Sequence, residues 1–191
     1  MKTLRGFILG AALLLVAAVA VADDDYRDTI DLFKHAGKSA AFFHDSYGYA
    51  VFPTIGKGAF IVGGAHGKGH VYEHGKYVGD TALTQVSVGF QAGGEGYSQI
   101  VFFQDKRAFD EFTSGNFEFD AGVRVVAITA SAGGEAGTDG ASADASGGKK
   151  DAATAGEYYK GMAVFTIVKG GALYQASVAG QKYSYKPRTT S

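Results

Sequence analysis

Apolar side chains recur at three- and four-residue spacing near the start of the chain, at Tyr26, Ile30, Phe33, Ala36, Ala40, Phe43 and Tyr47. That period predicts one amphipathic helix from Asp23 to about Asp45. Acids in its first turn suit the positive end of the helix dipole, and Gly37 weakens its middle. Its polar face mixes Asp28 and Asp31 with Lys34 and Lys38, which favours packing on a sheet over lying on lipid.

After Tyr47 the period shortens to two. Ala50 to Phe52 reads as a strand stopping at Pro53, and Ala59 to Gly64 as an apolar run buried on both faces or bent at its glycines. Val71 to Tyr77 reads as a hairpin with His74 and Gly75 at its tip. Val86, Val88, Phe90 and Ala92 alternate with Ser87, Gly89 and Gln91, until Gly93, Gly94 and Gly96 break the strand. Ile100 to Phe103 predicts a short buried strand. Asp105 then caps a short helix with Phe109 and Phe112 inward and Gly115 as its stop. Phe117, Phe119, Ala121, Val123 and Val125 alternate cleanly with Glu118, Asp120, Gly122 and Arg124, predicting one continuous strand. Residues 129–157 hold no aromatic, leucine, isoleucine, valine or methionine, so a flexible Ala/Gly-rich loop is expected there, with a strand able to run a little past Thr129. Tyr183 and Tyr185 alternate into the C-terminus.

Two stretches share one local design. Slid by 113 positions without a gap, eight of the 25 residues from Gly48 to Tyr72 recur, among them Ala50/Ala163, Val51/Val164, Phe52/Phe165 and Gly67/Gly180. The two copies are expected to form strand pairs in one curved sheet. The fold class is therefore α+β, mainly β: a curved, glycine-rich antiparallel sheet or partial barrel with a long N-terminal helix and one short helix.

Lys2 and Arg5 precede an apolar run from Phe7 to Ala20 and small residues up to Ala22, the anatomy of a secretory signal peptide over residues 1–22. The remaining 169 residues, 23–191, suit a single domain. They carry 16 basic and 19 acidic side chains, a formal charge of −3 that argues against nucleic-acid binding. The same balance lets basic residues hold an anionic membrane only if they are segregated onto one face. There is no cysteine, so no disulfide and no thiolate ligand.

The candidate chemistry is sparse. His66, His70 and His74 fall at intervals of four, but on a strand that is about 13 Å, too far for neighbours to share an ion. GGAHGKG lacks the first glycine of a phosphate loop, Val62 standing there, and Gly69 follows Lys68 where Ser or Thr is needed. No serine sits in a G-x-S-x-G elbow, and Glu118 and Asp120 read as a solvated strand face. An enzyme is the least supported class, and no cofactor is indicated. Lysines in glycine-rich turns, Lys57, Lys68 and Lys169, remain as contacts for an anionic ligand.

YAVFPTIGKGAFIVGGAHGKGHVYEHGKYVG, QVSVGFQAGGEGYSQIVFF, FTSGNFEFDAGV and AVFTIVKGGALYQASVAGQKYSY, in that order, resemble the signature segments of the SYLF domain family, from about Asp31 to Pro187. The resemblance implies phospholipid binding, of phosphoinositides in eukaryotic members, and in some members binding and bundling of actin. It matches Lys57, His66, Lys68 and Lys169 to positions of the family's glycine-rich segments, giving these four as candidate lipid-binding residues. Bacterial members are similar in carrying a signal peptide. The expectation is a non-enzymatic, membrane-peripheral protein of the periplasm or cell envelope that binds anionic phospholipids, without actin. Two alternatives stay open, an integral outer-membrane β-barrel of about eight strands and a soluble periplasmic carrier of a small apolar ligand.

Overall fold

The structure, a computed structural model, describes residues 24–36, 38–56, 64–86, 96–119, 125–130, 136–137, 157–168 and 180–189. Two helices open it, α1 over residues 24–34 and α2 at Lys38–Asp45. Four strands follow: β1 Gly48–Gly56, β2 Gly64–Glu73, β3 Lys76–Val86 and β4 Tyr97–Phe103. Then come α3 Lys106–Phe112 and the strands β5 Phe117–Glu118, β6 Val125–Ala130, β7 Ala136–Gly137, β8 Met162–Val168 and β9 Gln181–Pro187.

All the strands join one sheet in the order β5-β9-β3-β2-β1-β4-β8-β6-β7. The first seven are antiparallel, and β6 adds in parallel to β8. The sheet curls into a half-barrel. Phe52 on β1 and Tyr183 on β9 have two strands between them, about 14 Å across a flat sheet. Their rings meet edge to face at 5.7 Å across the concave side. The fold is thus α+β and mainly β, as the sequence predicts.

Glycine makes the curl sterically possible at two inward positions of β2. A Cβ at Gly69 would stand 2.6 Å from the Phe52 ring, and one at Gly67 would stand 2.6 Å from the Ile55 side chain. The concave core also holds Leu83, Val101, Phe103 and Val164, and Phe109 and Phe112 of α3. Asp105 caps α3 by accepting from the Ala108 amide at 2.8 Å. On the convex side α1 and α2 pack Ile30, Phe33, Phe42 and Phe43 against Tyr49, Val51, Phe102 and Phe165 of β1, β4 and β8.

Several expectations are corrected. The single helix from Asp23 to Asp45 is two helices with a turn at His35 and Ala36. Ser39 Oγ donates to the Phe33 carbonyl at 2.6 Å, satisfying the end of α1 that a continuous helix would have bonded internally. β1 does not stop at Pro53. It continues to Gly56 through a bulge, its register shifting against β2 and β4 on either side of Pro53. The bulge accommodates a residue without an N–H and changes the parity of the strand, so that Ile55 is buried and Thr54 exposed. The strand expected from Phe117 to Val125 is divided: β5 pairs with β9 at one end of the sheet order and β6 with β8 near the other.

The internal repeat is not a repeated hairpin. β1 pairs with β2, but β8 pairs with β4 and β9 with β3, so the second copy's strands stand on opposite flanks of the first. β4 lies between β1 and β8, and across it Ala50, Val101 and Val164 line up. That is one residue out of step with the sequence alignment. Phe52 consequently joins the concave core and Phe165 the convex one, because a one-residue slip exchanges the faces of a strand. The His74 and Gly75 turn is as expected, both residues having positive φ (47 and 77). The apolar run at 59–63, the alternation at 87–92 and nearly all of 129–157 lie outside the described residues.

Candidate functional site

Three strands share a convex surface that the helices leave largely uncovered, Tyr26 of α1 reaching it at His70. On β2, Ala65, Gly67, Gly69 and Val71 face inward, leaving His66 and Lys68 exposed and His70 partly so. On β3, Thr81, Leu83 and Gln85 are buried, while Asp80 and Thr84 are exposed. On β9, Gln181 and Tyr183 are buried, and Lys182, Ser184 and Lys186 are exposed. Period two thus puts the apolar set in the half-barrel and the charged set in solvent.

Strand register arranges the outward residues in rows. His66, Thr84 and Lys182 form one, Lys68, Ala82 and Ser184 the next, and His70, Asp80 and Lys186 the third. Neighbouring strands lie about 4.8 Å apart, so each row spans about 10 Å of backbone. Arg188 follows, its guanidinium over the Tyr77 ring at 5.4 Å. Two acids temper the face. Glu118 lies 3.6 Å from Lys182, and Asp80 lies 3.4 Å from His70 Nε2 while accepting from Tyr77 Oη at 2.7 Å. The exposed Glu118–Lys182 pair contributes little and leaves the lysine charge available. Lys68 and Lys186 have no acidic partner within 4.0 Å among the described residues.

Of the four residues nominated from sequence, His66 and Lys68 lie together on this face. Lys57 and Lys169 are outside the described residues. Lys182, Lys186 and Arg188 were not nominated, although QKYSYKP carries the signal: lysines alternating with buried Gln181 and Tyr183 must share one face. The three histidines have separate settings. His66 is in the first row, His70 beside Asp80, and His74 edge-on to Tyr47 in the turn.

A second feature adjoins α2. A cavity of about 590 Å³ is lined by Lys34, Phe43, His44, Tyr47, Tyr49 and His74, among others. Tyr47 Oη donates to Glu73, and this hydrogen bond is the main reason its pKa lies above the ordinary tyrosine value. Tyr49 is pushed up to about 12, chiefly by burial. Both phenols are therefore neutral at ordinary pH, and the cavity combines aromatic walls with basic rims. No helix among the described residues is long and apolar enough to cross a membrane.

A curled, glycine-punctuated sheet with a basic outer face is thus combined with the signature segments in sequence. Residues 84–189 match the family model for Ysc84, described as Las17-binding protein actin regulator, and the chain belongs to this family, the SYLF family. It is also similar to beta cell expansion factor A of Aeromonas veronii, at 30% identity over 156 residues, covering 81% of this chain and 51% of that protein. The chain spans about half the length of that relative. Membership supports a binding role, related to membranes or to actin.

Proposed function

We propose that the protein is a non-enzymatic, phospholipid-binding, membrane-peripheral protein of the bacterial cell envelope, exported by its N-terminal signal. The observation that carries the reading is the segregation of Lys68, Lys182, Lys186 and Arg188, with His66, onto one largely uncovered face. A chain of net negative charge needs that segregation to approach an anionic bilayer. Lysines are compact charges suited to phosphate headgroups, and the aromatic cavity beside α2 offers an amphipathic neighbour for the interface.

Peripheral attachment fits these residues better than an integral barrel. A lipid-facing barrel surface is an apolar band, whereas the outer face of β2, β3 and β9 carries lysine, histidine and aspartate, and α1 and α2 pack on the convex side of β1, β4 and β8. In the envelope the partners are anionic phospholipids, and actin is absent. Co-sedimentation with anionic and neutral liposomes at low and high salt tests the reading. Preference for anionic liposomes that fades with salt supports it, and equal binding to both contradicts it.

A further inference from the structure

We propose that His70, stacked against Tyr26, is a proton-operated latch that holds α1 around Tyr26 on the sheet when protonated and loosens it there when neutral. The Tyr26 and His70 rings lie 3.5 Å apart between centroids with planes 5° from parallel. Tyr77 flanks the imidazole at 4.5 Å, and Asp80 Oδ1 is 3.4 Å from Nε2. An imidazolium in this position has a cation–π contact with Tyr26 and an ionic contact with Asp80, whereas a neutral ring makes only the weaker uncharged forms of both.

The surrounding charges set the direction. Lys68 precedes His70 by two residues on the same face, Lys186 stands across from Asp80, and Arg188 lies over Tyr77. These cations oppose protonation. Asp80 is the acid in direct contact, 3.4 Å from the largely buried imidazole, and outweighs the more distant cations because the nearest charge is screened least. Tyr26, pushed up to about 12 chiefly by burial, remains neutral across the imidazole range.

Linkage fixes the consequence. If protonation favours the docked helix, docking raises the proton affinity of His70. The latch's contribution is then complete at mildly acidic pH and is lost as pH rises through the imidazole range, about pH 5 to 8. Further along α1, Ile30 and Phe33 are buried, so loosening concerns the turns around Tyr26 and not the whole helix.

Hydrogen exchange tests this without lipid, independently of the membrane reading. Protection factors for amides 24–34, corrected for intrinsic rates, are compared at about pH 5.5 and about pH 8, with β1 and β4 amides reporting the fold. The expected result is a loss of about three- to tenfold at the higher pH at amides 28–30, which donate to the carbonyls of 24–26, absent in His70→Phe, which keeps a ring without a proton. Tyr26→Leu, which leaves His70 and the sheet intact, should also abolish the pH dependence. Equal protection of the wild type at both pH values overturns the latch, as does an unchanged loss in either variant.

Discussion

Gln99 Nε2 on β4 donates to Tyr183 Oη on β9 at 2.7 Å, although three strands separate them in the sheet. Across a flat sheet the gap would be about 19 Å. Gln181 joins them, donating to Tyr97 Oη at 3.0 Å and accepting from Gln99 at 3.1 Å and from Tyr183. These side chains are buried, so the concave core is closed by a polar network whose members satisfy one another.

Removing one hydroxyl from that network should therefore cost more than an average hydrogen bond. Tyr183→Phe leaves the Gln99 amide and the Gln181 carbonyl short of a partner and is expected to destabilise the protein by about 1–3 kcal/mol in urea unfolding. A loss within error of zero would mean that water enters the concave side and replaces the phenol.

Close approach at Gly69 gives a second prediction. Gly69→Val places branches against the Phe52 ring and is expected to lower stability by about 1–3 kcal/mol. Phe52→Leu in the same chain should recover part of that loss, although Phe52→Leu alone is destabilising. Additive losses in a double-mutant cycle would show that the two residues do not share the space.

Phe165 and Phe52 are aligned in the internal repeat but should fail differently. Phe165 meets Phe42 of α2 at 4.9 Å, so Phe165→Ala is expected to expose α2 to trypsin at Lys38 under native conditions. Phe52→Ala should cost a comparable 3–5 kcal/mol, roughly, while leaving α2 protected until global unfolding. Identical cleavage patterns would contradict the assignment of opposite faces.

Alkaline pH should unfold the protein through its tyrosines. Burial raises Tyr183 well above its ordinary value, and raises Tyr26, Tyr49 and Tyr158 to about 12. A group raised in the folded state contributes stability that is complete below its unfolded value, about 10, and is lost as pH climbs through the folded one. Stability is therefore expected to be flat with respect to these groups below about pH 10 and to fall above it. Phenolate absorbance for the buried set should rise together with loss of the β-sheet signal in circular dichroism. Ionisation of the full tyrosine complement near pH 10 with the sheet intact would be the opposite result.

Features encoded locally were legible in the sequence. The His74–Gly75 turn follows from residues that tolerate positive φ, and the α3 cap from Asp105 standing three residues before the Ala108 amide it receives. Features set by strand order were not. The repeat suggested two like hairpins, yet which neighbour β8 and β9 choose depends on β4 and β3, and a one-residue offset across β4 turned aligned residues to opposite faces. The candidate face was legible in part for the same reason: His66 and Lys68 stand out within one glycine-rich run, whereas Lys182 and Lys186 join them only because β3 bridges β2 to β9.

On the proposed reading this assembled face, and not the net charge of the chain, brings the protein to anionic membranes. The decisive experiment is charge reversal at Lys68, Lys182 and Lys186 together, read as affinity for anionic liposomes at low salt with stability checked in parallel. Each lysine near the surface is worth about 1 kcal/mol, so a loss of about 100-fold or more is expected in a protein that still folds. Unchanged affinity in the folded triple variant would contradict the account.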